Sequence, residues 1–438
     1  MEPSAAGTDV PFGEALRFWL RLGLVNFGGP TGQIALMHAE LVERRRWIGE
    51  PNFLHALNFA MLLPGPEAHQ LAIYVGWLLN GSPGAIVAGL FFLLPAFFLM
   101  VALSWVYAVH GDVVWIAGVF DGFAWAVVAI VAAAMLRIAA RSLGRRSLVL
   151  IAVLAFLALY LVGVPFPLVV IGAGLVGLIA RDLVSPPTDA AAASEHPERV
   201  GPSVARTARV LAIGLAIWVL PLLAVVSAVG FDTVFAEEAL FFSILALVTF
   251  GGAYAVLAYM NQAAVIRFGW LTADEMAVGL SLAETTPGPL ILVVCFVAFL
   301  GAFRDPAGLA PAAAGVLGAA VAAWATFVPS FLWIFLGAPS VERLRGNERL
   351  GSALGAITAA VVGVIGSLAV TFATNVLFDE VRVRTPLGHD VPVPVWSSVD
   401  PLAAAVAVAS FVAIRRFDVN VVWVVLAAGA IGMVAAIS

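Results

Sequence analysis

Residues Leu63 to Gln70 carry the sequence Leu-Pro-Gly-Pro-Glu-Ala-His-Gln, which places a Pro-Gly-Pro break inside a long apolar run. The break returns at Thr286 to Pro289, 223 positions later. Proline removes a backbone donor and interrupts a helix. At membrane depth such a break is tolerated only inside protein or beside a watery cavity. The stretch therefore predicts a broken membrane helix, with a substrate site where two half-helices meet.

The composition of the whole chain indicates a membrane protein. Its 438 residues are 62% hydrophobic and only 11% charged, and the mean hydropathy is +1.05. Soluble domains carry about 25% charged residues. We therefore expect an integral protein that crosses the lipid bilayer many times. The leader, residues 1–14, is polar and acidic without a basic region, which predicts no cleavable signal peptide.

Several chemistries are excluded by the residue types. All 22 basic residues are arginine, and without lysine neither a Walker A loop nor a Schiff base can form. The single cysteine, Cys295, cannot make an intrachain disulfide. The six histidines are scattered, which predicts no metal site, and no nucleophile motif occurs. We expect no enzyme activity, no cofactor and no nucleic-acid partner.

The two breaks belong to an internal repeat. Residues 27–66 align without a gap to residues 250–289, with 13 identities in 40 positions. A repeat of this kind indicates two structurally similar halves. Matched pairs include Arg44 with Arg267, Trp47 with Trp270 and, beyond an 11-residue insertion, Pro95 with Pro329.

Short apolar pieces flank the breaks of the first half, at residues 15–26, 31–42, 53–63 and 67–79. A span needs roughly 20 residues, whereas these pieces make helices of only about 16–20 Å. The predicted fold is an all-α polytopic membrane protein whose repeats each begin with two broken, re-entrant helical hairpins followed by four spans. The expected domains are the leader, a first repeat (15–182), a cytoplasmic linker with a connecting transmembrane helix (183–237) and a second repeat (238–438).

The positions of the arginines predict which side of the membrane each loop faces. With both hairpins entering from the cytoplasm, the cluster Arg44 to Arg46 lies inside, as the positive-inside rule requires, and Asp232, Glu237 and Glu238 lie outside. If the first two segments instead crossed the membrane fully, only the cluster Arg44 to Arg46 would lie on the side that the rule disfavours. Whether these segments are hairpins or full crossings, the number of membrane crossings between the starts of the two repeats is odd. The two halves therefore have opposite orientations in the membrane. Inverted repeats with broken helices are typical of secondary transporters.

The breaks also predict a binding chemistry. A half-helix that begins at the midplane presents unpaired N–H groups and a positive dipole end, and proline suits its first position. Four such starts would form an anion pocket, although the breaks could alternatively be packing kinks. The predicted substrate-binding residues are Gly28, Gly29, Pro30, Thr31, Gln33, Pro64, Gly65, Pro66, Glu67, His69, Gln70, Gly251, Gly252, Thr285, Thr286, Pro287, Gly288 and Pro289.

Four ionisable residues in apolar segments are candidates for proton coupling, namely Glu67, His69, Glu284 and Asp121. Ionisable groups at membrane depth are usually functional, and a carboxylate–imidazole pair can carry protons. The alternatives are that Glu67 caps its half-helix, that His69 packs in the core, and that Asp121 makes a polar helix contact.

These motifs resemble the chromate ion transporter (CHR) family in its long, two-domain form. The resemblance covers nearly the whole chain apart from the leader, the 181–209 linker and the 379–399 loop. It rests on Phe27 to Pro30, Arg45 to Trp47, Leu63 to Pro66, Gly84 to Gly89 with Leu94-Pro95, and on Phe250 to Gly252, Gly269 to Thr272, Thr286 to Pro289 and Pro329-Ser330.

The resemblance implies export of chromate from the bacterial cytoplasm across the inner membrane, driven by the membrane potential or a proton gradient, and hence chromate resistance. Sulfate, a similar dianion, is the expected competitor, and a homodimer is left open. Expelling a dianion from a negative-inside cell is favoured by about 4.6 kcal/mol per 100 mV. The alternatives are a transporter of sulfate or another oxyanion and a passive anion channel; a membrane-embedded enzyme ranks last.

Overall fold

The computed structural model describes residues 10–27, 29–180, 203–250, 253–337, 348–386 and 388–438. Within these residues the chain forms 16 α-helices and one two-stranded sheet. Five of the helices are long and apolar enough to cross a membrane. The predicted class, an all-α multi-pass membrane protein, is confirmed at this level.

The first half begins with short helices and continues with long ones. Helix α2 ends in a π-helical turn at Ala39–Arg44, and α4 is interrupted at Asn80 and Gly81, whose backbone is not helical. The helices are α1 Phe12–Val25, α2 Gly29–His38, α3 Glu50–Leu62, α4 Glu67–His110, α5 Val114–Ser142, α6 Arg146–Tyr160, α7 Phe166–Ile179 and the connecting helix α8 Val204–Val229.

The second half repeats the succession of short helices before long ones. It again contains a π-helical turn, Gln262–Arg267, and a 3-10 turn at Leu290–Leu292 precedes α12. Its helices are α9 Val234–Val248, α10 Ala253–Asn261, α11 Ala273–Thr285, α12 Val293–Arg304, α13 Pro311–Gly337, α14 Glu348–Leu377, α15 Pro401–Arg416 and α16 Val421–Ile437.

A β-hairpin lies in the stretch that the sequence predicts as a loop, residues 379–399. Strand β1 (Val381–Arg384) pairs antiparallel with β2 (Val391–Pro394). The strands alternate valine with arginine or proline, and valine favours extended backbone. The hairpin is short, and only this small element departs from the helical architecture in the described residues.

The chain doubles back at the Pro-Gly-Pro breaks. The rings of Phe59 and Tyr74, before and after the first break, lie 5.2 Å apart, whereas 15 residues of continuous helix would separate them by about 22 Å. At the second break a Cβ on Gly279 would lie 2.9 Å from a ring carbon of Phe296. Helices α3 and α11 therefore each pack against the helix that follows, as two helical hairpins.

The helices before these hairpins contact each other less closely, because α1 packs mainly against α4 and α9 mainly against α13. Arg45, just after α2, reaches Glu14 near the start of α1 at 3.4 Å, and the rings of Phe241 and Tyr259 join α9 to α10 at 5.2 Å.

Small residues allow long helices to approach closely, since a Cβ on Gly122 of α5 would lie 2.8 Å from the Cα of Gly429 in α16. Close packing at small residues is typical of membrane helices.

Candidate functional site

The two Pro-Gly-Pro breaks adopt the same backbone conformation. Leu63 and Thr286, which end the preceding helices, are both extended, with φ/ψ of −91°/148° and −88°/151°. The central glycines, Gly65 and Gly288, have φ of +129° and +105°. Residues other than glycine rarely adopt these φ values. The sequence repeat is therefore a repeat of local structure at this position.

Each glycine break is joined to the break that opens the other half. The N–H of Gly65 donates to the carbonyl of Thr249 at 2.9 Å, and the N–H of Gly288 donates to the carbonyl of Asn26 at 2.8 Å. Asn26 and Thr249 are themselves 223 positions apart, so the same hydrogen bond is made twice, in reciprocal directions. The structure thus brings the four breaks together in two linked pairs.

Side chains add to these links. The amide of Gln33 in α2 donates to the carbonyl of Gly288 in the other half and, at 3.4 Å, to that of Asn26. Gln70 donates to the carbonyl of Pro64 at 2.7 Å and so holds its own break closed. These two glutamines, both predicted as site residues, hydrogen-bond backbone carbonyls of the breaks and so restrain the backbone there.

Three helix starts surround one narrow cavity. By general helix geometry, the first N–H groups after Pro30, Pro66 and Pro289 have no acceptor inside their own helices, and the dipole makes these ends positive. The cavity is lined by Pro30 and Gln33 from the first start, Pro66, Glu67 and Ala68 from the second, and Pro289, Leu290 and Ile291 from the third.

Polar atoms without a partner cluster around the breaks. In the described part of the chain, the side-chain amide of Asn26, Oε1 of Gln33, Oε1 of Gln70 and Oγ of Ser330 are all buried and unpaired. The Ser330 hydroxyl lies 3.1 Å from where a Cβ on Gly65 would stand. Buried polar atoms are normally hydrogen-bonded, so this group of atoms has unused capacity for water or a polar ligand.

Two carboxyl groups lie beside the breaks. Glu67 is half-buried and lines the cavity directly, at the first position of its helix. Glu284 is buried and accepts a 2.6 Å hydrogen bond from the hydroxyl of Tyr254. Its Oε2 lies 3.9 Å from the position of a Cβ on Gly29. Glu284 therefore reaches from the second half to the first break of the first half.

His69 makes its contacts in the helix packing. Its Nε2 lies 3.1 Å from the carbonyl of Gly89. The imidazole is fully buried, with the rings of Phe327 and Phe331 at 5.3 and 5.5 Å. It is absent from the lining of the narrow cavity.

The remaining predicted residues lie near the breaks or outside the described residues. The hydroxyls of Thr285 and Thr286 donate to carbonyls of their own helix, at 2.9 Å to Ser281 and 3.5 Å to Ala283. Asp121 is exposed in the second turn of α5, and Thr31 belongs to α2. Gly28, Gly251, Gly252 and most of the predicted linker, residues 181–202, lie outside the described residues.

Four residues at the site were not predicted from the sequence: Asn26, Thr249, Tyr254 and Ser330. Asn26 and Thr249 are the polar residues that precede Phe-Gly-Gly in the two halves, a signal that was present in the alignment. Tyr254 and Ser330 stand in apolar runs, and only the packing brings them to the breaks. Across the described ranges, His, Cys, Asp and Glu form no cluster of three or more that could hold a metal ion.

Known proteins are similar to this sequence over most of its length. The family model described as chromate transporter matches residues 13–178 and 236–433. The chromate transport protein of Pseudomonas aeruginosa is 33% identical over 418 residues, which cover 94% of this chain and 90% of the relative. The chromate transport protein of Cupriavidus metallidurans is 29% identical over 366 residues, 84% of each chain.

A probable chromate transport protein of Synechococcus elongatus is 28% identical over 373 residues, which cover 83% of this chain and 85% of the relative. No solved structure matches the chain. The family model accounts for both halves, including all four breaks and the helix starts that surround the cavity. The chain belongs to the chromate transporter family.

Proposed function

We propose that this chain is a secondary active transporter that exports chromate across the inner membrane and thereby gives chromate resistance. The observation that carries the proposal is the meeting of the breaks. Reciprocal hydrogen bonds join Gly65 to Thr249 and Gly288 to Asn26, beside a cavity formed by three helix starts. The names of the bacterial relatives supply the substrate.

The site suits a tetrahedral dianion for electrostatic reasons. Helix N-termini bind phosphate, sulfate and similar anions through free N–H groups and a positive dipole. The unpaired amide N–H of Asn26 is a further donor beside the breaks. Chromate would be held by such donors rather than by a metal or a covalent bond, so it can be released again on the other side.

Glu67 gives the site a means of coupling anion binding to protons. Glu67 lines the same cavity as the helix starts. When ionised it repels a dianion, and when protonated it can donate a hydrogen bond. Protonation of Glu67 and binding of the dianion therefore favour one another. Under this proposal Glu67 acts on affinity for the anion, and Glu284, bound to Tyr254, lies beside Gly29 at the first break.

The proposed membrane arrangement has the helical hairpins entering from opposite faces. The pairs α1–α2 and α3–α4 enter from the cytoplasm, and α9–α10 and α11–α12 enter from the periplasm. The antiparallel contacts within the pairs and the arginines of the loops support this topology. Alternating access then follows from one repeat moving against the other around a fixed site.

A transporter of sulfate or another oxyanion is the second candidate, because the donors around the cavity do not distinguish chromium from sulfur. A passive anion channel is the candidate from another class. In the described conformation the cavity, of about 10 Å³, has room for about one water molecule. The anion can therefore enter only after the breaks move apart, as an alternating-access transporter requires and a permanently open pore does not.

The decisive experiment uses the purified protein in liposomes. Chromate and sulfate fluxes are measured with and without a pH gradient, and with and without a membrane potential. We expect chromate flux that saturates, responds to the potential and falls when sulfate is added. Chromate flux that grows linearly with concentration would indicate a channel. Sulfate flux without chromate flux would show that sulfate, and not chromate, is the substrate.

A further inference from the structure

A buried carboxyl group lies far from the anion cavity, in the second turn of α9. Glu238 is fully buried, and neither of its oxygens has a hydrogen-bond partner among the described residues. An ionised carboxylate in such surroundings would lack both water and a counter-charge, which is strongly unfavourable. In this conformation the group is therefore a neutral carboxylic acid.

The packing around Glu238 is shaped to hold its carboxyl group. A Cβ on Gly301 of α12 would lie 3.1 Å from Oε1, and a Cβ on Gly318 of α13 would lie 2.9 Å from Oε2. Two glycines on two different helices thus leave room for the carboxyl oxygens. The side chain of Trp270 lies 3.2 Å from the same Cβ position on Gly301, next to the carboxyl group.

The repeat shows that the fold does not need a carboxyl group here. The position that corresponds to Glu238 in the first half is Ala15, at the offset of 223, and Ala15 is buried too, with 2% exposure. The residue before each of them is an exposed glutamate, Glu14 and Glu237. The buried acid is therefore a property of the second half alone.

The charged groups that face Glu238 are few. On its own helix Glu237 is exposed and adjacent. On α12, Arg304 is engaged by Glu275 of α11 and by the carbonyl of Trp270, so its charge is already paired. Asp232 lies in the turn before α9, while α13 and residues 210–229 of α8 contain no titratable side chain.

We propose that Glu238 is a proton-binding site that makes the transport cycle sensitive to periplasmic protons through α9. The site rests on the proposed transport function and lies at the opposite end of α9 from Thr249, about 16 Å along the helix. Thr249 is the residue that accepts the hydrogen bond of Gly65 at the breaks. A movement of α9 at one end therefore acts directly on the junction at the other.

The proton step needs only water. When α9 separates from α12 and α13, water reaches the carboxyl group, the O–H bond breaks, the proton passes to water, and the carboxylate stays hydrated. Return of α9 to its packed position requires that a proton be taken up again. Glu238 lies only about 6 Å along the helix from the start of α9, and in the proposed topology this end faces the periplasm. A proton taken up from the periplasm restores the neutral acid and so favours the return step. Release and uptake both take place on this side, so an acidic periplasm speeds the step without a proton crossing the membrane.

The test uses the full-length protein with Glu238→Gln, Glu238→Asp and the matched control Glu237→Gln. Infrared spectra in water and deuterium oxide are compared for the carbonyl stretch of a protonated carboxylic acid. We expect Glu238→Gln to lose one such band that the wild type and Glu237→Gln retain. An unchanged set of bands in Glu238→Gln would overturn the proposal.

The second measurement uses liposomes. Glu238→Gln is expected to exchange chromate between equal pools but to lose the acceleration that an acidic outer solution gives to the wild type. Glu238→Asp, which keeps a titratable group, is expected to recover part of it, which a purely packing role would not produce. Acceleration of Glu238→Gln equal to that of the wild type would overturn the proposal. If the wild type carries no chromate, the proposed function fails, and the infrared comparison still decides the state of Glu238.

Discussion

The backbone N–H of Gly65 binds the carbonyl of Thr249 across the two halves of the chain, at 2.9 Å. Because Gly288 and Asn26 repeat the bond in the opposite direction at 2.8 Å, neither half can complete its breaks without the other. Both glycines that donate these bonds have a positive φ. The link between halves thus depends on a backbone conformation that few residues can adopt.

Alanine at Gly65 is expected to abolish chromate transport. The φ of +129° is unfavourable for alanine, and its Cβ would lie 3.1 Å from the Ser330 hydroxyl and closer still to the Gln70 amide. Backbone strain of this kind costs about 1–3 kcal/mol. The measurement is chromate flux in liposomes, together with thermal stability in detergent.

Gly288→Ala, at φ +105°, should have the same effect as Gly65→Ala, because it breaks the reciprocal bond. Gly172→Ala is the control, since a Cβ at that helical position meets no atom within 4 Å. Normal flux in both break variants would show that the junction does not matter for transport.

Glu67→Gln is expected to remove the pH dependence of chromate affinity. In the wild type a rising pH ionises Glu67, and its negative charge then repels the dianion in the cavity that both share. The affinity of the wild type should fall at least about tenfold, or about 1.4 kcal/mol, across that ionisation. The affinity of Glu67→Gln should stay at the high level throughout.

Chromate binding to the detergent-solubilised protein is measured by isothermal calorimetry over a series of pH values. Glu50→Gln serves as the control, because Glu50 is exposed at the start of α3 and does not line the cavity. A Glu67→Gln protein with the same pH profile as the wild type would assign the proton effect to another group.

Tyr254→Phe is expected to destabilise the protein through Glu284. The phenol is the donor of the 2.6 Å hydrogen bond to this buried carboxyl group, and leaving a buried acceptor unpaired costs about 1–3 kcal/mol. In the double variant Tyr254→Phe with Glu284→Leu, the loss should be smaller than the sum of the single losses. Thermal unfolding in detergent checks this, and strictly additive losses would show that the pair is not coupled.

The breaks could be predicted from the sequence because proline and glycine impose their effect locally. Pro66 and Pro289 stand at helix starts, and Gly65 and Gly288 adopt positive φ, in keeping with residue type alone. The acceptor Thr249 could not be identified, because any residue has a carbonyl and only tertiary packing brings this one to Gly65.

The burial of Glu238 likewise could not be predicted from the sequence. Next to Glu237 and close to Asp232 it belongs to a polar stretch in the sequence, which predicts a position outside the membrane core. Its burial is decided by Gly301 and Gly318, more than 60 residues further along the chain. The valine-rich strands of residues 381–394 were likewise missed, because a short two-stranded hairpin has no strong pattern of its own.

The inverted arrangement predicts opposite accessibility for two matched arginines. Arg44 and Arg267 are equivalent in the repeat, each ends a π-helical turn, and both are exposed. Arg44→Cys should therefore react with a membrane-impermeant maleimide only from the cytoplasm, and Arg267→Cys only from the periplasm. The native thiol, Cys295, is fully buried, so the wild type is the control for background labelling.

Labelling is carried out on intact cells and on inverted membrane vesicles, and the modified protein is detected by its shift in mass. Both cysteines reacting from the same face would exclude the inverted topology, since a residue and its repeat partner would then share one orientation. Periplasmic labelling at position 44 together with cytoplasmic labelling at position 267 would keep the inversion but reverse the molecule. In that case Glu238 would face the cytoplasm, and the acidic solution that accelerates the wild type would be the inner one.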